Sequence, residues 1–218
     1  MKADDIHKIV KILARETPKW DVPIVTLVAD SSKDPFKVLI STVLSLRTKD
    51  ETTAQASKRL FKLADNPSDM LKLSEKEIIK AIYPVGFYKT KAKNIRSICD
   101  DLITKYDGKV PDDIDELLKF KGVGRKTANL VVTLGYDKPG ICVDTHVHRI
   151  SNRFGYIKTK TPDETEFVLR DKLPKKYWID YNNLLVSFGQ HLCRPISPKC
   201  SICPVIQYCD RVGVSTSR

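Results

Sequence analysis

The chain has 218 residues, 41% of them hydrophobic, which is enough for one large domain or two small ones with a sizeable core. No run approaches the roughly 18–20 apolar residues of a membrane helix, and the charged N-terminus lacks the apolar region of a signal peptide. These features predict an intracellular protein, in the cytoplasm or at the nucleoid, with reduced thiols. The net charge of +11 favours a polyanion partner such as nucleic acid, although a well-solvated basic surface is the alternative.

Apolar residues recur at three- and four-residue spacing along much of the chain, which predicts helices nearly throughout. The clearest stripes are formed by Phe36, Leu39, Ile40, Val43, Leu44 and Leu46, and by Ala92, Ile95, Ile98, Leu102 and Tyr106. Residues 24–28 and 131–134 give short strand signals, and the second of these continues a helical pattern. The sequence therefore predicts an all-α protein.

Helix starts are marked by capping residues. Asn66 precedes a proline at the first helical position, and Asp112 or Asp113 can cap a segment running to Phe120. Two capping boxes are predicted, one from Ser74 to Glu77 and one from Thr161 to Glu164. We expect residues 213–218 to form a frayed tail.

Residues 117–129 predict two helices joined by a tight turn that contains Gly122 and Gly124. Glycine permits backbone torsions and close approaches that a side chain would forbid, and Val123 between them can enter the core. The turn would present backbone N–H groups at the start of a helix, beside the cations Lys121 and Arg125. Such a helix–hairpin–helix can bind DNA phosphates without reading bases, although an ordinary helix connection is the alternative.

Lys126 falls in the first turn of the second hairpin helix, next to Arg125. A helix N-terminus and a neighbouring cation both disfavour an ammonium there and favour the free amine that a nucleophilic lysine needs. A solvated, phosphate-binding lysine is the alternative. Asp144 precedes Thr145 and can either cap a helix or serve as a catalytic acid.

The remaining histidine and cysteine positions give weaker signals. His146 and His148 are two residues apart, which does not align metal ligands on one helix face, so we interpret them as structural or close to DNA. Cys99 lies on an apolar helical stripe and Cys142 precedes the segment of Asp144, and we expect both to be buried in the core.

Four cysteines lie close together near the C-terminus with the spacing C-x6-C-x2-C-x5-C: Cys193, Cys200, Cys203 and Cys209. In an intracellular protein such clustering predicts a four-thiolate metal site rather than disulfides. The spacing between the second and third cysteines also suits zinc, so the residues alone leave zinc and iron–sulfur open.

Three motifs in this order closely resemble the endonuclease III family of bifunctional DNA glycosylase/AP lyases: residues 122–129, residues 143–146 and the four cysteines. The likeness covers roughly residues 20–210. It implies a two-lobed, all-α fold with a six-helix barrel at residues 23–135, whose helix–hairpin–helix spans about residues 112–135. Residues 1–22 and 136–211 would form a helical lobe with a [4Fe-4S] cluster on the four cysteines, followed by a tail at 212–218.

The resemblance also implies a mechanism and a partner. Lys126 would be the nucleophile and Asp144 the catalytic aspartate for excision of oxidised pyrimidines of the thymine glycol type from duplex DNA, followed by β-elimination at the abasic site through a Schiff base. Besides the hairpin, the expected DNA contacts are His146, the wedge residues Arg47 and Phe87, and Arg194 and Lys199 between two cysteines. The chain departs from the family pattern at Arg47, where glutamine is common, and at Lys121, where proline is usual.

Two other functions compete with this one. A mismatch glycosylase acting on T or U opposite G would belong to the same superfamily, but Lys126 weighs against it. A non-catalytic DNA-binding module with structural zinc is the second. We expect a monomer, because the sequence marks no large exposed apolar patch.

Overall fold

A computed structural model describes residues 1–2, 4–20 and 34–218, and the regular elements of these residues are all helical, which confirms the all-α class. The helices are α1 (Asp5–Glu16), α2 (Pro35–Ser45), α3 (Asp50–Leu63), α4 (Pro67–Lys72), α5 (Glu75–Ile82), α6 (Tyr88–Lys105), α7 (Ile114–Leu117), α8 (Arg125–Leu130), α9 (Thr145–Arg153), α10 (Pro162–Lys172) and α11 (Trp178–His191). Short 3-10 turns cover Thr17–Lys19, Lys175–Tyr177, Cys200–Ile202 and Ile206–Tyr208. No helix in this described part is both long and apolar enough to cross a membrane.

The chain divides into two compact units, Ile24–Gly140 and Met1–Pro23 together with Ile141–Arg218. The short strand expected at residues 24–28 lies outside the described residues. The second strand signal belongs to a helix, because α8 continues as a π-helical stretch, Val131–Gly135. The six-helix barrel, the cluster lobe and their predicted boundaries stay predictions.

The unit Ile24–Gly140 holds helices α2 to α8 around one apolar core. The predicted stripe of α6 is buried, since Ala92, Ile95, Ile98 and Leu102 are fully inaccessible to solvent. Cys99 is buried among them, as expected for a core thiol. Each large aliphatic side chain removed from water contributes roughly 1.5–3 kcal/mol, so this stripe fixes the long α6 in the unit.

Most predicted helix starts are confirmed. The side chain of Asn66 accepts a hydrogen bond from the backbone N–H of Asp69 at 2.9 Å, and Asp113, rather than Asp112, caps α7. Ser74 and Glu77 form both hydrogen bonds of a capping box at the start of α5. These local interactions satisfy backbone N–H groups that the first helical turn leaves without partners.

The second unit packs α1 with α9, α10 and α11 around a separate core. Asp144 caps α9, and Thr161 caps α10 by accepting from the backbone N–H of Glu164 at 3.2 Å. The second predicted capping box is wrong in one detail. The carboxylate of Glu164 accepts from the backbone N–H of Lys160, one residue before the cap, at 2.8 Å.

The C-terminal tail does not fray, contrary to our expectation. The backbone N–H of Arg218 donates to the carbonyl oxygen of Pro198 at 2.9 Å, and the N–H of Ser201 donates to that of Arg218 at 3.0 Å. Arg211 also donates to the hydroxyl of Ser217 at 3.0 Å. The tail therefore pairs with the segment that carries the cysteines.

Candidate functional site

The hairpin between α7 and α8 has the geometry expected from its glycines. Val123 is 7% exposed, and its N–H donates to the carbonyl oxygen of Phe120 at 3.1 Å, so it enters the core as predicted. Gly122 has φ +81°, a left-handed conformation that only glycine adopts easily. A Cβ at Gly122 would also lie 2.3 Å from Nδ2 of Asn94.

Gly124 differs from Gly122 in both respects. Its φ is −105°, which any residue can adopt, and a Cβ placed on it would meet nothing within 4 Å. The fold itself therefore gives no reason for glycine at this position. An external group that approaches the backbone closely, such as a phosphate, would give one. Lys121 is exposed and Arg125 half-buried on either side.

Lys126 is half-buried in the first turn of α8, directly after the hairpin. The two residues that follow it, Thr127 and Ala128, are buried, and Asn129 donates to the carbonyl oxygen of Arg125 at 3.0 Å. These contacts hold the first turn of α8. The π-helical stretch that follows is a form often found at functional sites.

Asp144 belongs to the other unit, where its Oδ1 accepts from the backbone N–H groups of His146 and Val147, both at 2.9 Å. The helix-cap interpretation of Asp144 is thereby confirmed, and its catalytic role stays a prediction. Nδ1 of His146 lies 3.2 Å from a guanidinium nitrogen of Arg149. Nδ1 of His148 lies 2.7 Å from the hydroxyl of Thr165.

The structure brings Arg47 and Phe87 together, although they lie on separate loops. The guanidinium carbon of Arg47 is 4.7 Å from the centre of the Phe87 ring, and both side chains are exposed. Both residues have left-handed backbones, with φ of 55° and 59°. Such a conformation costs a residue with a side chain roughly 1–2 kcal/mol and often marks a functional position.

The four clustered cysteines line one pocket, together with apolar side chains that include Phe154, Phe188 and Leu192. Burial raises the pKa of the Cys203 thiol to about 12 and raises the pKa values of Cys193 and Cys209 as well. Among the described residues, no three His, Cys, Asp or Glu side chains form a group that could hold a metal ion. The four thiols line the same pocket without forming such a close group.

Two arginines of α9 hold the loop that begins at Cys193. Arg153 is 9% exposed and donates to the carbonyl oxygens of Arg194 and Pro195, both at 2.6 Å, and to the sulfur of Cys193 at 3.6 Å. Arg149 donates to the carbonyl oxygen of Cys193 at 3.0 Å. Burial raises the pKa of the Cys193 thiol overall, and it outweighs the guanidinium of Arg153, which lowers that pKa.

Arg194 and Lys199 lie on the loop between Cys193 and Cys200, as the sequence requires. The side chain of Arg194 is exposed and Nε donates to the carbonyl oxygen of Gln190 at 3.3 Å. Lys199 is half-buried, and its backbone N–H donates to the carbonyl oxygen of Leu192 at 3.0 Å. Lys199 lines the pocket of the four cysteines, and Arg194 directly follows Cys193 in the chain.

Our interpretation of the sequence missed two buried cations, Arg153 and Lys91. Lys91 is 5% exposed and binds oxygens of the segment before and after Arg47. Its signal was present, because position 91 continues the apolar stripe of Ile95 and Ile98 at helical spacing. A lysine in line with core residues indicates a buried ammonium with specific acceptors.

Comparisons with known proteins agree with this geometry. Residues 40–175 match the model of the HhH-GPD superfamily of base excision DNA repair proteins. Endonuclease III of Thermotoga maritima is 49% identical over 177 residues, which cover 81% of this chain and 83% of that protein.

Two solved structures resemble the whole chain. A non-covalent endonuclease III–DNA complex matches with a TM-score of 0.86 and 36% identity over 97% of this chain and 96% of that one. A trapped covalent endonuclease III–DNA intermediate matches with a TM-score of 0.84 and 34% identity over 97% of both chains. The chain therefore belongs to the endonuclease III family of base excision DNA repair proteins.

Proposed function

We propose that this repair enzyme removes oxidised pyrimidines of the thymine glycol type from duplex DNA and then cleaves the abasic site by β-elimination. The observation that carries the proposal is the place of Lys126, a half-buried lysine in the first turn of the helix that follows the glycine hairpin. The likeness to a covalent endonuclease III–DNA intermediate supports an amine nucleophile, because a lysine can form an imine with the sugar.

Duplex DNA is the partner that the surface chemistry supports. The chain carries a net charge of +11, and the relatives whose structures resemble it include one bound non-covalently to DNA. Lys121, Gly122, Gly124 and Arg125 of the hairpin would hold the backbone phosphates, with His146 contributing from α9. Phosphate contacts of this kind position the enzyme and carry no sequence information. We propose that the enzyme acts as a monomer.

The reaction begins when the damaged nucleotide leaves the base stack, since the sugar carbon is otherwise out of reach. The amine of Lys126 attacks C1′, the glycosidic bond breaks, and the base leaves with its electron pair and a proton. Asp144 provides a carboxylate that stabilises the positive charge developing on the sugar. The nitrogen lone pair then breaks the C1′–O4′ bond, O4′ takes up a proton, and the opened sugar is held as an imine. The imine acidifies the C2′ hydrogen, and loss of that proton expels the 3′ phosphate as the C3′–O bond breaks, which cleaves the strand.

Arg47 and Phe87 would fill the space that the flipped nucleotide leaves. The exposed Phe87 ring can stack between bases, and the guanidinium of Arg47 can donate hydrogen bonds to the orphaned base. Their contact at 4.7 Å supports insertion of both side chains from one place. Because Arg47 stands where glutamine is common in the family, we expect the preference for the base opposite the lesion to differ from that of relatives with glutamine.

Cys193, Cys200, Cys203 and Cys209 would hold a [4Fe-4S] cluster. Their shared pocket supports a four-thiolate metal site, and membership of the family favours an iron–sulfur cluster over zinc. When bound, the cluster would supply structural cross-linking, because four thiolates complete the coordination of its irons. Arg194 and Lys199 would then be fixed at the surface, where they can contact phosphate.

Borohydride trapping tests the proposal directly. The protein is incubated with duplex DNA containing thymine glycol and reduced, and we expect a covalent, SDS-stable complex. Lys126→Gln should abolish the complex. Lys121→Gln should keep it and weaken binding, because that residue would contribute only a phosphate contact.

The result separates the rival functions. A complex with abasic DNA but not with thymine glycol would support the lyase activity and indicate that the enzyme excises a different base. A mismatch glycosylase would then be the leading alternative. Trapping at the wild-type rate in Lys126→Gln would contradict the assigned nucleophile. No complex with either DNA would favour a binding module, and a colourless protein would then favour zinc.

A further inference from the structure

The ammonium group of Lys91 has three hydrogen-bond acceptors although it is buried. Nζ donates to the carbonyl oxygen of Leu44 at 2.8 Å, to that of Leu46, and to the hydroxyl of Thr48 at 3.1 Å. An ammonium carries three N–H donors and no acceptor, so these contacts use its whole capacity. Burying a charge without such partners would cost several kcal/mol.

The acceptors belong to the C-terminal end of α2 and the loop that follows. Leu44 lies in the last turn of α2, and Leu46 directly follows the helix. Carbonyl oxygens at this end lack intrahelical partners, and the helix dipole there is negative, so a cation is favoured. Lys91 itself lies in the first turn of α6, where the dipole of that helix disfavours a cation. The favourable electrostatic interaction of its ammonium therefore comes from the C-terminal end of α2.

Thr48 links the same contact to the loop of Phe87. Its hydroxyl accepts from the backbone N–H of Gly86 at 3.1 Å and from Lys91, and it donates to the carbonyl oxygen of Leu46 at 3.3 Å. A hydroxyl has one donor and two acceptor sites, all of which are used here. A Cβ on Gly86 would lie 2.5 Å from the carbonyl oxygen of Arg47, so glycine is required for the two loops to touch.

We propose that Lys91 is a positioning residue that joins the loop of Arg47 to the loop of Phe87 and holds the two side chains as one stacked pair. This inference rests on the proposed insertion of that pair into DNA. The pair sits on two left-handed residues, and the contacts of Lys91 oppose the relaxation of both loops. Preassembly reduces the ordering that binding would otherwise require.

The proposal separates two steps of the reaction. Extruding a base from an intact duplex breaks stacking and pairing, which costs a few kcal/mol, and a filled gap offsets that cost. An abasic site has no base to extrude. Loss of Lys91 should therefore slow removal of thymine glycol more than imine formation on abasic DNA.

Limited proteolysis tests the loop contact without relying on activity. Lys91→Met keeps most of the aliphatic stem and removes the ammonium, and we expect trypsin to cleave after the exposed Arg47 roughly tenfold faster than in the wild type. Lys93→Met is the matched control, because it removes the same charge from an exposed position of α6. Gly86→Ala should open the same loops with Lys91 intact. Equal cleavage rates in the wild type and in Lys91→Met would overturn the proposal.

A double-mutant comparison tests the functional consequence. Single-turnover removal of thymine glycol should fall about tenfold more than borohydride trapping on abasic DNA in Lys91→Met. In a background that already carries Arg47→Ala and Phe87→Ala, Lys91→Met should cause no further loss, since its effect passes through the pair. An equal loss in both backgrounds would overturn the positioning role.

The two experiments distinguish the failure of this inference from that of the proposed function. Faster cleavage after Arg47 with unchanged base removal would overturn insertion of the pair, and with it the part of Lys91 in catalysis. Absence of any trapped complex in the wild type would overturn the proposed lyase, and proteolysis would still decide whether Lys91 joins the loops. If Lys91→Met does not fold, Thr48→Val takes its place in both readouts, because it removes the hydroxyl that accepts from both Lys91 and Gly86.

Discussion

The two hairpin glycines should respond oppositely to alanine, because one is required by the fold and the other is not. Gly122→Ala places a side chain on a left-handed residue, which costs roughly 1–2 kcal/mol. Its methyl group would also lie 2.3 Å from Nδ2 of Asn94, so that amide must move. We estimate a loss of about 2 kcal/mol in the free energy of unfolding, or roughly 4–8 °C in Tm at about 2–4 °C per kcal/mol.

Gly124→Ala meets neither obstacle. Its φ of −105° suits alanine, and the new methyl group has open space within 4 Å, so stability should stay within about 0.5 kcal/mol of the wild type. The same methyl group would obstruct a phosphate that approaches the hairpin backbone. Losing one or two charge-assisted hydrogen bonds of about 1.5 kcal/mol each weakens binding by roughly 10- to 100-fold.

Thermal unfolding by circular dichroism measures the first effect, and fluorescence anisotropy with a duplex containing a non-cleavable abasic analogue measures the second. We expect Gly122→Ala to melt early and Gly124→Ala to melt normally but bind weakly at fixed salt. Wild-type binding by a folded Gly124→Ala protein would refute the assignment of the hairpin as the phosphate site. A normal melting temperature for Gly122→Ala would refute the argument from its backbone.

Three further predictions concern single side chains. Asp144→Asn keeps an oxygen that can cap α9, so the variant should fold normally, but its rate of base removal should fall by at least about tenfold. Asp144→Ala should lose the same activity and, in urea denaturation, about 1 kcal/mol of stability as well. Cys203→Ser, or removal of iron by a chelator, should abolish the visible absorption and lower the melting temperature together, and a stable, still coloured Cys203→Ser protein would contradict its role as ligand. Burial lowers the pKa of Lys91 from 10.5 to about 8. Between these pH values the unfolded chain holds a proton that the folded chain has released. The free energy of unfolding of the wild type, relative to that of Lys91→Met, should therefore rise with pH in this range.

Local features of the fold could be predicted because their causes are local. The apolar stripe of α6 and the caps at Asn66, Ser74 and Asp144 depend on residues within one or two helical turns, and the structure confirms them. The prediction of a frayed tail was wrong. It followed from the short polar residues at positions 213–218, which are typical of disordered ends. Its hydrogen bonds reach Pro198 and Ser201, partners that no local pattern indicates.

The candidate site was only partly predictable for the same reason. The hairpin, Lys126 and the four cysteines are contiguous or regularly spaced motifs, so chemistry and spacing identify them. The contact between Arg47 and Phe87 joins residues forty positions apart, and nothing in either loop indicates a left-handed backbone without glycine. Lys91 looked like one of many exposed lysines, and only its register with Ile95 indicated burial.

The left-handed residues and the buried lysine have one physical explanation. Arg47 and Phe87 both carry side chains on left-handed backbones, which costs roughly 2–4 kcal/mol for the two together. The three hydrogen bonds of Lys91 and the one that Thr48 accepts from Gly86 bind the strained loops to each other and offset part of that cost. The strained residues are thus the two whose exposed side chains are in contact in the absence of DNA. The hydrogen bonds that hold them there lie in the interior. A search for functional residues confined to the exposed surface would find Arg47 and Phe87 but would miss Lys91, on which their arrangement depends.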